Sequence, residues 1–388
     1  MKSILLSDES KKKLEIFFEM NKLEDGRYPI SSVIKLFRFS KNTVYQLLEK
    51  IAADLESLFG YELFDKNGKI IWSKKAFDMN RYNQFLLRKS LPYNFILFIL
   101  LHPGKTLDDF CSANFISTST IRRTLQPFLT FLKKFEIKIN LSSMRLEGNE
   151  YEIRMMFHTI LWACSLGQGI LEVEEVTQKE AAVLKQLGIA DCSYINNDDI
   201  LTILLIAKLR IQGGFPEKSS LPVDDFIPSK TINILTDYLS NFVPSNTYLE
   251  TEVRSLAFQL YFSNLYYHKD DVRVKDLSSY YLEKKGDGKF IPIIDRLFKR
   301  VDLKVQQDTM LPLVNLISIF FSFSLNHRPL PWMKEFSNYE VLFPNFTPRR
   351  SCLWKPFSRK FQPRKDLSGF LIILTSSINT FTMSYRLM

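Results

Sequence analysis

The chain is 388 residues long, 46% hydrophobic and 24% charged, with a net charge of +10. That length exceeds one ordinary domain, and the composition excludes global disorder and supports packed cores. The charge is uneven: residues 1–150 hold 24 Lys and Arg against 17 Asp and Glu, residues 151–270 hold 9 against 15, and residues 271–388 hold 19 against 10.

A basic head joined to an acidic middle fits an N-terminal nucleic-acid contact followed by a module of another kind. Four cysteines, Cys111, Cys164, Cys192 and Cys352, form no CxxC pair. No zinc site or disulfide framework is therefore expected, and a reducing cytoplasm is. The start, MKSILLSDESKKK, is too briefly apolar for a signal peptide. The apolar runs Phe95–Leu101 and Leu313–Leu325 are too short or too broken by Asn and Ser to span a bilayer. No glycine spacing matches a P-loop or GxGxxG, and neither HExxH nor GxSxG occurs. A protein that is not an enzyme and holds no cofactor is the expectation.

In chain order, the first organised stretch is Ile30–Leu58. Ser40 stands where a helix N-cap belongs, and Val44, Leu48, Ile51, Leu55 and Leu58 follow at 4-3-4-3 spacing, one apolar stripe of a helix. Lys41, Asn42, Tyr45 and Gln46 on its opening turns form a polar set able to meet base edges or phosphates. Glu62–Trp72, with Lys66-Asn67-Gly68 at its centre, reads as a hairpin. Pro92 opens an apolar helix that runs to Leu101 and stops at His102-Pro103-Gly104, where His102 is a helix-end residue.

A second copy of the first pattern follows 77 positions later. Leu107–Ala113 is a short amphipathic helix, Asn114 starts a polar turn, and Ser117 is the next N-cap. Ile121, Leu125, Phe128, Leu132 and Phe135 repeat the stripe, with Thr118, Ser119, Arg122 and Arg123 on the opposite face. Ile137–Asn140 and Met144–Leu146 pair as a small hairpin. Helix, turn, helix and β-wing is the layout of a winged helix-turn-helix, whose second helix enters the DNA major groove. Pro127 inside that helix removes a backbone donor and is expected to bend it beyond the base-reading end. Two winged helices in tandem, at 1–77 and 78–149, are the reading.

From Glu150 the pattern becomes long helices separated by polar loops. Glu152-Ile153-Arg154 recurs as Glu252-Val253-Arg254, opening helices at Met155–Ser165 and Ser255–Tyr267. Further apolar helices follow at Ile200–Gln212 and Leu311–Asn326. Two all-helical modules, at 150–245 and 246–345, account for this repeat. Beyond them the chain is basic and proline-rich, and Phe370–Leu374 reads as one buried β-strand, the start of an incomplete domain in 346–388. The fold class is mostly α.

PISSVIKLFRFSKNTVYQLLEKI, LDDFCSANFISTSTIRRTLQPF and LTILLIAKLRIQGGF resemble the Mga family of transcriptional regulators from Gram-positive bacteria, over about Leu5–Leu374. The resemblance implies a DNA-binding activator of transcription with duplex DNA as partner. It implies that the helical modules are phosphotransferase-system regulation domains, phosphorylated on histidine through HPr. It also implies a C-terminal domain similar to an EIIB subunit that supports a homodimer. The chain departs from the pattern twice. Arg210–Phe215, near the end of the first module's later helix, lacks a histidine, and an EIIB-like domain needs on the order of 100 residues. The chain is accordingly expected to be a truncated or short variant.

Two histidines are the phospho-acceptor candidates. His268 follows Tyr266-Tyr267 beside Lys269 and Asp270, and His327 has Arg328 next to it. His158 is expected in the interior of its module. The alternative readings are an RNA-binding antiterminator, which shares such regulation modules, and a truncated, non-catalytic interaction protein.

Overall fold

The computed structural model describes residues 2–165, 177–189, 194–218, 227–243, 245–262, 266 and 268–283, with seven further positions between 310 and 318. His327, most of the expected helix Leu311–Asn326 and the whole of 346–388, including Phe370–Leu374, lie outside these residues. The chain is mostly helical and divides into two compact units, Met1–Ile170 and Leu171–Met388. Among the described residues no helix is long and apolar enough to cross a membrane.

The first unit opens with α1 (Lys2–Leu5) and α2 (Asp8–Met20), then β1 (Gly26–Tyr28), α3 (Ile30–Ile34), α4 (Lys41–Phe59) and β2 (Ile70–Trp72). Ser40 caps α4 as the sequence predicts, accepting the Thr43 N–H at 3.2 Å, and Gly60 at φ +62° ends it in the left-handed region. Val44, Leu48, Ile51 and Leu55 are buried against α2, whose own apolar face is Ile16, Phe17 and Met20. The hairpin expected over Glu62–Trp72 is only partly realised. A single bridge joins Phe64 to Ile70 around the Asp65–Gly68 turn, and the strand partner of β2 is β1, antiparallel with Arg27 opposite Ile71. The correction has a physical reason: Ile70 and Trp72 are buried, and pairing with β1 places Trp72 edge-on to Phe17, with ring centroids 5.5 Å apart.

Next come α5 (Met79–Arg88), α6 (Leu91–Leu101), α7 (Leu107–Ala113), α8 (Thr118–Leu132), β3 (Lys138–Asn140), β4 (Arg145–Glu147) and α9 (Glu150–Ser165). Helix α6 takes its cap from Ser90 and carries proline in its first turn, where the missing N–H costs nothing. A capping box starts α7: the Asp109 N–H donates to the Thr106 hydroxyl at 3.3 Å and the Thr106 N–H to the Asp109 carboxylate at 2.8 Å. Ile121, Leu125, Phe128 and Leu132 are buried on α8, each contributing about 1.5–3 kcal/mol by leaving water. They pack on α6 and α7, where Phe110 sits edge-on to Phe95. Helix α8 runs on through Pro127 to Leu132. The proline is exposed, so the carbonyl it cannot serve, at Arg123, lies on the water side.

The turn from α7 into α8 closes with the Phe115 N–H on the Ser112 carbonyl (3.4 Å) and the Ile116 N–H on the Cys111 carbonyl (3.0 Å). This is the left-handed helix stop that normally takes glycine. Here the residue is Phe115, at φ +54°. A side chain in that region costs roughly 1–2 kcal/mol through crowding of Cβ against the carbonyl.

The second unit holds α10 (Thr177–Gln186), α11 (Tyr194–Gln212), α12 (Ser229–Leu239), α13 (Asn246–Phe262) and α14 (Val272–Glu283). Buried Glu180 on α10 ties three helices, accepting from Lys208 on α11 (2.9 Å) and the Tyr238 hydroxyl on α12 (2.8 Å). Arg273 is wholly buried, paired bidentately with Asp271 and donating to the Leu260 carbonyl at 2.9 Å. The sequence repeat has a structural counterpart 100 positions apart: Arg154 bonds Glu150 on α9 (3.0 Å) as Arg254 bonds Glu250 on α13 (2.8 Å). The division between the units groups α9 with the first of them, where it packs on α5.

Candidate nucleic-acid interface

The opening turns of α8 are built from hydroxyls and cations. Ser117 accepts the Thr120 N–H at 3.2 Å, and its oxygen lies 2.9 Å from the hydroxyls of both Ser119 and Thr120. The cap is thus satisfied locally, and Ser117, Thr118, Ser119, Arg122 and Arg123 all remain exposed. Among the described residues neither arginine is held in an ion pair. Arg122 is within electrostatic reach of α7. Burial and Asp108 push the Cys111 thiol up, and the Arg122 charge opposes them.

Behind this helix stands the wing. Strands β3 and β4 are antiparallel, with Lys138 opposite Glu147 and Asn140 opposite Arg145. The Asn140 side chain accepts from the N–H groups of Ser142 and Ser143, which folds the chain back. Buried Leu146 and Met144 anchor the hairpin, while Lys138 and Arg145 are exposed. In the sequence these two cations are marked only by the polar–apolar–polar alternation around Ile139 and Leu146.

In the first copy, Lys41, Asn42, Tyr45 and Gln46 occupy the positions of Thr118, Ser119, Arg122 and Arg123, and all four are exposed on α4. The turn before β2 carries exposed Lys66 and Lys69. Asp65 shapes that turn by accepting the N–H groups of Lys69 and Asn67, each at 2.8 Å, and those bonds hold its carboxyl below the usual range. The two copies differ at the turn between helices. Segment Lys35–Phe39 has no residue at positive φ, whereas the second copy has Phe115.

Of the histidines, His268 is exposed just before α14, with its Nδ1 3.5 Å from the Asp270 carboxylate. His158 is buried in α9, and His102 caps α6 with its ring 4.7 Å from that of Phe98.

A family model of the Mga helix-turn-helix domain matches residues 75–161, a span that holds α5 to α8, the wing and most of α9. The match supports a helix-turn-helix regulator of the Mga type, a protein that binds DNA and regulates transcription. No curated protein matches the chain.

Proposed function

We propose that this protein is a sequence-specific, DNA-binding activator of transcription whose second winged helix, residues 78–149, reads its target with α8. The observation that carries the reading is the pair Arg122 and Arg123. Two guanidinium groups that make no ion pair among the described residues stand on the first turns of a helix that follows a tight turn and precedes a β-wing. That placement suits bidentate contact with guanine O6 and N7 or with phosphate. By the same reading, residues 1–77 form a companion winged helix that presents Lys41, Asn42, Tyr45 and Gln46. The helical modules at 150–245 and 246–345 tie binding to the phosphotransferase system through phosphorylation of His268 or His327. The helical make-up of residues 2–59, with one three-residue strand, weighs for duplex DNA over the RNA reading.

Salt titration tests the central claim. The log of affinity for duplex DNA falls with log salt at a slope of about 0.9 per phosphate contacted. A steep slope is expected, and binding that is undetectable at low salt or indifferent to salt overturns the proposal. A reporter fused to the bound promoter gives the sign of control: silence on removal of the gene fits an activator, and a rise marks a repressor.

A further inference from the structure

Phe115 combines two features that the fold does not explain. Its backbone sits at φ +54°, where glycine or asparagine is at ease and an aromatic residue is strained. Its side chain is 96% exposed, so burial does not offset that strain. The hydrogen bonds that close the turn, from the N–H groups of Phe115 and Ile116, are backbone bonds and would form equally well around glycine. A residue that costs stability and buries nothing is a candidate for function.

Its position narrows what that function is. Phe115 lies two residues before Ser117, at the N-terminal end of α8, the end that a recognition helix presents to base edges. The neighbouring exposed groups are the hydroxyls of Ser117, Thr118 and Ser119 and the guanidinium groups of Arg122 and Arg123, which complement a polyanion. The nearest acids on α7 are Asp108 and Asp109, in the first turn of that helix, roughly 9 Å of helix from the turn. Asp109 is engaged in the Thr106 capping box. An apolar ring among cations, at the groove end of a reading helix, matches one feature of the major groove: the C5 methyl of thymine, which apolar side chains recognise.

We infer that Phe115 is a base-reading residue that packs its ring on a thymine methyl group in the major groove. The inference rests on the DNA-binding reading of α8 and adds an apolar contact to its arginines.

The test uses the full chain and a duplex that it selects from a random pool. Phe115→Gly and Phe115→Asn both relieve the left-handed strain, so both variants fold and melt at or above the parent temperature. Each thymine of the duplex is replaced in turn by deoxyuridine, which removes only the methyl group. With the parent protein, one such replacement weakens binding about fourfold, the value of one buried methyl-sized group. With either variant the unmodified duplex is bound correspondingly more weakly and the same replacement has no further effect. The inference is overturned if the variants keep the parent's affinity, or if their sensitivity to deoxyuridine equals the parent's. A parent chain that selects no duplex from the pool overturns the DNA-binding reading itself, and this inference with it.

Discussion

Lys13 ends a run of three lysines, yet it is buried with its ammonium 2.8 Å from the carboxylate of Asp54, which also accepts from the Tyr82 hydroxyl at 3.1 Å. Its place was written in the pattern: Lys13, Ile16, Phe17 and Met20 share one face of α2, so the lysine falls on the stripe that faces α4. The trio joins α2, α4 and α5, and burial together with the Asp54 charge pushes the Tyr82 phenol up, so it stays a donor. Removing one partner of a buried ion pair is worse than removing both, because it strands a charge. Asp54→Ala is therefore expected to cost about 3–5 kcal/mol of stability. Tyr82→Phe, which removes one bond to a charged acceptor, costs about 1.5–3 kcal/mol. The double variant Lys13→Met, Asp54→Leu is expected to be more stable than Asp54→Ala alone. Urea unfolding of the four proteins checks the order; an Asp54→Ala loss below about 1 kcal/mol contradicts it.

Helices α4 and α8 are legible in the sequence because each pairs a capping serine with a long stripe at helical spacing, two signals that agree. The wing of the first copy is less so. Strand β1 is three residues long, too short to display alternation, and its pairing with β2 is fixed by the burial of Trp72 over a distance no local pattern reveals. Phe115 is invisible for a related reason: a left-handed backbone is read from glycine or asparagine, and the residue there is neither. On the proposed reading, side-chain chemistry at equivalent positions favours α8 over α4 as the helix that reads sequence. Arg122 and Arg123 can each make a bidentate base contact, worth about 1–3 kcal/mol of discrimination. A lysine such as Lys41 meets phosphate as a point charge and weakens all sequences alike when lost. Arg122→Ala or Arg123→Ala is thus expected to erode preference for the selected duplex over random DNA, and Lys41→Ala to lower affinity for both. Competition at fixed salt measures the ratio. If the arginine variants keep it while Lys41→Ala or Asn42→Ala loses it, α4 is the reader.

The N-terminal basic stretch belongs to the unit that holds the helix-turn-helix match, while the other unit contains both most of the acidic stretch and the basic residues 271–388. The four histidines divide evenly between them, His102 and His158 in the first unit and His268 and His327 in the second. Of the first pair, His158 is buried in α9 and so a poor acceptor, while His102 is exposed at the end of α6 with its ring beside that of Phe98. His268 is exposed, and Asp270 lies on its Nδ1 side, which leaves Nε2 as the nitrogen turned from the carboxylate. A phosphoryl group there adds a charge of about −1.5 to −2 beside Asp270 and Asp271, so it perturbs the start of α14 by repulsion, with Lys269 as the adjacent counter-charge. Phosphotransfer from HPr is therefore expected to label the second unit only, and a double variant, His268→Ala with His327→Ala, is expected to take no label. The two single variants separate the acceptors. Peptide mapping of the labelled chain reads the outcome directly: label that persists in the double variant must sit on His102 or His158, and regulation would then act inside the DNA-binding unit itself.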